Sequence, residues 1–172
     1  MSSRVDAILL APVSRLVEQV SARHYEDIYE GNRHRIFSLA FYMTYSECEA
    51  EDLMQETFCR AFRAYKKPTA EQLDRALVSE LRDTRPVGQL TLTAEPVTEA
   101  SSVRKNTKRA ELEAAVVQLP PTERIIFLMH DVESYDHARI ARTIGITEDE
   151  SKRGLFHARL AIRKILASQM PA

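Results

Sequence analysis

The sequence has no tryptophan, and its only four glycines, Gly31, Gly88, Gly145 and Gly154, are scattered along 172 residues. No glycine-rich phosphate loop can be built from them, which disfavours a nucleotide-driven enzyme. Cys48 and Cys59, the only cysteines, lack the close spacing of a metal or redox pair, and read as packed core atoms. No apolar run approaches the roughly 20 residues that cross a bilayer. The longest near the N-terminus, 7–13, is interrupted by Pro12 and soon followed by Arg15 and Glu18. The basic start and small-residue cleavage site of a secretory signal are also missing, so the expected location is the cytoplasm, without membrane insertion. A basic surplus is absent too: 24 Lys and Arg stand against 25 Asp and Glu, for a net charge of −1. Free-standing DNA binders draw much of their affinity from phosphate neutralisation. A nucleic-acid role for this chain therefore needs affinity from elsewhere.

What is present is helical periodicity. Apolar stripes predict helices over about 5–20, 23–43, 46–65 and 70–82, the third opened by Ser46 with Glu47, Glu49, Glu51 and Asp52 in its early turns. A short alternation near Val87–Thr93 is the only strand-like signal. From Thr84 to Lys108, Pro86, Gly88, Pro96 and many Thr and Ser residues predict an exposed linker. Helices resume at about Arg109 and after Pro120-Pro121, then over His137–Ile144 and from Glu148 to about Ala167. The expected fold is all-α, two small helical domains joined by a flexible linker. Its expected parts are an N-terminal helix over 1–22, a helical domain over 23–90, a linker over 91–108 and a second helical domain over 109–170.

Asp136 to Leu160 carries the sharpest local signal. A helix-turn-helix needs a small residue where its helices cross, and four residues later a turn that permits positive φ. Ala141 and Gly145 stand at that spacing. Thr147 is placed to cap the second helix, with Glu150 completing a capping box. In a DNA reader this second helix enters the major groove. Lys152, Arg153, Phe156 and His157 lie on or near its outer face, and Arg159, Arg163 and Lys164 could reach phosphates. The same spacing suits a helical hairpin with solvated charges, and Glu148, Asp149 and Glu150 oppose an approach to phosphate.

Two stretches then act together. Tyr25–Tyr65, with AEDLMQETFCRAF at Ala50–Phe62, resembles region 2 of the extracytoplasmic-function (ECF) group of sigma factors, in the sigma-70 family. Leu119–Leu166, opening LPPTERIIF, resembles region 4 of the same family. The two occur in family order. The resemblance implies a transcription initiation factor that binds core RNA polymerase and directs it to promoter DNA. It implies that Asp52, Gln55 and Glu56, on one helix face, meet the polymerase β′ clamp helices, and that region 4 meets the β flap. The −35-type promoter surface falls on Lys152, Arg153 and Phe156, with His157 where the family more often has Arg. An anti-sigma factor is an implied partner, and no cofactor or catalytic residue is expected.

The stretch from Lys66 to Thr91 departs from the family pattern. Where the family opens the promoter and reads the −10 element, this chain lacks Trp, and Pro68, Glu71, Asp74, Glu80 and Asp83 dilute Arg75, Arg82 and Arg85. No −10 contact is assigned. The departure motivates a second reading, a sigma-like decoy that binds an anti-sigma factor or polymerase without opening promoters. Tyr45 and Ser134 occupy positions where the family favours Gly at a helix end. Ser151 replaces a usually buried apolar residue and, if buried, needs a partner such as a carbonyl one turn back. Gly154 weakens the recognition helix by about 1 kcal/mol relative to Ala. His24, His34, His130, His137 and His157 form no triad spacing; His130 and His137 are seven residues apart across a predicted helix break and are weak metal evidence.

Overall fold

A computed structural model describes the backbone of residues 6–84 and 106–169, and side chains over 22–83 and 109–168. Ser46 starts a helix as its sequence context predicts: its backbone is extended, and its hydroxyl accepts from the Glu49 N–H at 3.4 Å. That satisfies one of the amides a helix N-terminus leaves open. The helix it opens, α2, runs Glu47–Ala64. Before it, α1 spans Asp6–Thr44 without interruption. The two helices expected over 5–20 and 23–43 are therefore one, because Ser21, Ala22 and Arg23 contain no Gly or Pro to break the backbone ladder.

Helix α3, Ala70–Thr84, begins with a capping box: Thr69 Oγ1 accepts from the Gln72 N–H at 3.3 Å, and Gln72 Oε1 accepts from the Thr69 N–H at 2.9 Å. The expected linker and the Val87–Thr93 alternation lie, from 85 to 105, outside the described residues. Helix α4, Asn106–Val117, starts three residues before the position expected. Helix α5, Pro121–Phe127, has Pro at its first position, where a missing N–H is harmless. It widens into a π-helical turn at Leu128–Val132. Helices α6, His137–Ile144, and α7, Glu148–Gln169, follow.

The helix ends at Tyr45 and Ser134 are left-handed, with φ of 55° and 58°. Neither residue suits that conformation, since a Cβ crowds the following carbonyl. Tyr45 gains a ring contact with Phe41, centroids 5.7 Å apart, whereas Ser134 is exposed. Ser134→Gly is therefore expected to stabilise the protein by about 0.5–1 kcal/mol, a rise in thermal midpoint of about 1–3 °C. Tyr45→Gly should gain less, because it also deletes the ring. Thermal melts of the two variants check the order.

Helices α1 to α3 pack on one another, as do α4 to α7. The two groups also touch, α3 lying against α6 and α1 against α4 and α5. One buried cluster runs through both, from Ile36, Phe58 and Leu77 to Ile126, Ile140 and Leu155. Among the described residues the two helical lobes thus share a core.

Candidate functional site

The helix-turn-helix forms as its residues require. Asp136 caps α6 by accepting from the Arg139 N–H at 2.6 Å. Gly145 ends α6 with φ 70° and ψ 44°, and its N–H, with that of Ile146, closes on the Ala141 carbonyl at 2.9 and 3.1 Å. This left-handed closure is glycine's usual role at a helix end. Thr147 and Glu150 complete the predicted capping box, with bonds of 3.2 Å to the Glu150 N–H and 2.8 Å from the Thr147 N–H. The Thr147 N–H, and then the Thr147 hydroxyl, both donating to the carboxylate, hold the Glu150 carboxyl below the usual carboxylate range.

Ser151 is fully buried, and its partner is not a carbonyl but His137 Nδ1, at 2.9 Å. Burial, then the neighbouring His130, lower the pKa of His137. The rings of His130 and His137 stack with centroids 4.8 Å apart, a proximity that their separation in sequence only hinted at. Among the described residues no group of three or more His, Cys, Asp and Glu side chains is arranged to hold a metal ion. Gly154 also has a use: a Cβ there would lie 2.6 Å from Ile126 Cδ1, so its absence lets α7 cross close over α5. The helix-propensity cost of this glycine is offset by a closer core.

The outer face of α7 is open. Lys152, Arg153, Phe156, His157, Arg159, Arg163 and Lys164 are all exposed. Phe156 stands out, with 65% of its surface in solvent, an unusual place for a large apolar ring. Two of the basic groups are already engaged within the chain. Arg159 donates to both oxygens of Asp131, at 2.9 and 2.5 Å, and these bonds keep the Asp131 carboxyl well below its ordinary value. His157 Nδ1 lies 3.7 Å from Glu123. Lys152 makes only an exposed pair with Asp149, at 3.5 Å, worth little in water. Lys152, Arg153 and Phe156, with Arg163 and Lys164 further along the helix, are thus left available for an external contact.

On the other lobe, Asp52, Gln55 and Glu56 are exposed on α2 while Leu53 and Phe58 point into the core. Phe58 packs with Tyr29, centroids 4.8 Å apart, and Tyr25 with Phe62, at 4.6 Å. This aromatic cluster holds α2 on α1 and leaves the acidic face outward. Cys48 and Cys59 are exposed and unbonded to each other, contrary to the core placement expected. The reason is periodic: 48, 52, 55 and 59 fall on one helix face, so the cysteines share the solvent stripe of Asp52 and Gln55.

The seam between the lobes has no signature in the sequence. Arg124 of α5, only 4% exposed, donates to the carbonyls of Tyr42 and Met43 at 3.4 and 3.2 Å, and to those of Val117 and, at 2.9 Å, Leu119. One guanidinium therefore binds the C-terminal turn of α1 and the end of α4, both sites of unpaired carbonyls. Asp74, Arg35, Tyr135 and Arg139 form a second polar knot. Burial, followed by Asp74, pushes the Tyr135 hydroxyl up to about 12.

The turn geometry and the outward-facing second helix define a protein of the helix-turn-helix class, carried beside a second helical lobe. Residues 28–76 match the family described as Sigma-70 region 2, and residues 102–162 that described as Sigma-70, region 4. The two matches together cover more than half of the chain. Over 165 residues the chain is 24% identical to the ECF RNA polymerase sigma factor SigE of Mycolicibacterium smegmatis, an alignment covering 87% of this chain and 64% of that protein. The chain thus spans less than two thirds of that relative's length. It belongs to the sigma-70 family, within the ECF group. Among the described residues no helix is long and apolar enough to cross a membrane.

Proposed function

We propose that this protein is a transcription initiation factor that binds core RNA polymerase and directs it to promoter DNA. The observation that carries the reading is the open face of α7, where Lys152, Arg153 and Phe156 project from a correctly capped helix-turn-helix. In this reading α7 enters the major groove of a −35-type element, and its lysine and arginine meet base edges or phosphates. Arg163 adds a phosphate contact; Arg159 and His157 contribute only by leaving Asp131 and Glu123. The Asp52, Gln55 and Glu56 face of α2 docks on the β′ clamp helices, and the second lobe on the β flap.

The near-zero net charge fits this arrangement. Polymerase supplies affinity, and two weak contacts on one chain reinforce each other through effective concentration. The protein works in the cytoplasm, performs no chemistry of its own and is held in check by an anti-sigma factor. The decoy reading draws support from α3, whose acidic residues bond within the chain instead of leaving a basic face for DNA.

Pull-down with purified core polymerase tests the docking face. Asp52→Ala/Gln55→Ala is expected to recover at least about tenfold less polymerase, since each lost charge-assisted contact is worth about 1.5–3 kcal/mol. Equal recovery would remove that face from the reading. Specific transcripts from a promoter library with polymerase and the wild-type chain support the initiation factor; tight polymerase binding with none supports the decoy.

A further inference from the structure

His157 stands on the open face of α7 with Lys152, Arg153 and Phe156. Of these four side chains it alone belongs to a type that gains or loses its charge near neutral pH. The ring is 60% exposed, and its Nδ1 lies 3.7 Å from Oε1 of Glu123, a side chain 25% exposed in the first turn of α5. That separation is longer than a hydrogen bond, and a pair so open to water is held weakly. The Phe156 ring lies beside the imidazole, with centroids 5.9 Å apart. On the same helix Arg153 stands one turn before His157 and Ala161 one turn after it.

The charged groups on the other elements packed against α7 have partners of their own. Arg124, next to Glu123, is turned inward to backbone carbonyls. Asp131 is shared by Arg159 and His130. On α6, His137 bonds to Ser151, while Arg139 and Arg142 pair with Asp74 and Glu71. On α4, Arg109 pairs with Glu113, and Glu111 is exposed. Among the described residues, Glu123 is therefore the acid set against His157. With the imidazole neutral, the two side chains together carry one negative charge at the edge of a face that must approach phosphates. With the imidazole protonated, their charges cancel.

We infer that His157 is a proton-dependent DNA contact, and that Glu123 is the anion that weakens this contact whenever the imidazole is neutral. The inference rests on the reading of α7 as the DNA-reading helix. A protonated imidazole donates from both nitrogens, and the loose 3.7 Å approach lets it turn from Glu123 to a backbone phosphate. Its charge then stands between that carboxylate and the duplex. A neutral ring leaves the two anions facing each other, and like charges repel. The DNA-bound state thus holds more protons than the free state, so affinity rises as pH falls through the imidazole range.

The test uses the full chain and a duplex that this chain selects from a random-sequence pool. Fluorescence anisotropy reads binding from about pH 8 down to about pH 6, where imidazole gains its charge and phosphodiesters keep theirs. Wild-type affinity is expected to rise about tenfold over that range, the effect of one added charge-assisted contact. His157→Arg is expected to bind at both ends as tightly as the acid form of the wild type. His157→Gln is expected to bind at both ends as weakly as its basic form. Glu123→Gln should bind about threefold more tightly at the basic end, as befits one exposed charge, and should still tighten as pH falls. Neither side chain is buried, so these variants are expected to fold. Wild-type affinity that ignores pH, or a pH dependence that persists in His157→Gln, overturns the inference and leaves the promoter reading standing. Glu123→Gln that binds no more tightly at the basic end overturns it as well. If no duplex is enriched and no form binds at any pH, the inference and the promoter reading fail together.

Discussion

Replacing Arg124 by Met is expected to destabilise the protein by about 3–5 kcal/mol, far more than a substitution on the exposed faces of α2 or α7 would. The methionine matches much of the arginine's length but donates nothing, so the carbonyls of Tyr42, Met43, Val117 and Leu119 lose their shared donor in a site only 4% exposed. Burial lowers the Arg124 pKa from its ordinary value, yet a guanidinium stays protonated at any working pH. It also places a cation at the carbonyl ends of α1 and α4, the favourable side of both helix dipoles. The damage should reach both lobes at once, because Arg124 belongs to α5 and two of its acceptors belong to α1. Thermal unfolding is the measurement: a midpoint lower by about 10 °C is expected, with amide exchange accelerated at α1 and α4 together. A near-native midpoint would mean that water replaces the guanidinium at no cost.

Lys152→Ala/Arg153→Ala should abolish most of the sequence-specific DNA contact while leaving the fold intact. Both side chains are exposed, and the one ion pair they make across α7, Lys152 to Asp149, is weak. Removing two groups that meet bases or phosphates is expected to weaken binding to a −35-type duplex by about 10- to 100-fold, and to reduce the salt slope by about 1 for each lost phosphate contact. Fluorescence anisotropy over a salt series reads both quantities. Arg159→Ala is the useful contrast. Its guanidinium is held by both oxygens of Asp131, so its loss should cost DNA binding less and instead loosen α7 from the π-helical turn. A double variant that binds as tightly as wild type would move the reading surface off this face of α7.

Much of what positions these surfaces is legible in the sequence because it is local. Gly145 four residues after Ala141, and Thr147 three before Glu150, specify a turn and a cap through backbone bonds spanning only a few residues. The unfavourable left-handed helix ends at Tyr45 and Ser134 follow from the resemblance and are present in the fold. Some local signals speak only once the fold is known. Thr69 and Gln72 spell a capping box, and Asp136 stands immediately before α6. The stripe 48, 52, 55 and 59 is likewise readable on α2, and puts both cysteines in solvent beside Asp52 and Gln55.

The sequence by itself determined most of the helices, the caps at Ser46 and Thr147, the turn between α6 and α7 and the outward placement of Asp52, Gln55, Glu56, Lys152, Arg153 and Phe156, since periodicity and capping act over one or two turns. Only the tertiary structure decided that the lobes share a core, that Arg124 ties α5 to α1, and that Glu71 and Asp74 answer Arg142 and Arg139. Those partners are 65 to 82 residues apart, as in Asp74–Arg139 and Arg124–Tyr42. At that separation a charge pattern names candidates but not pairs. Which acid meets which base is settled by how the helices pack and by the demand that every buried charge find a partner.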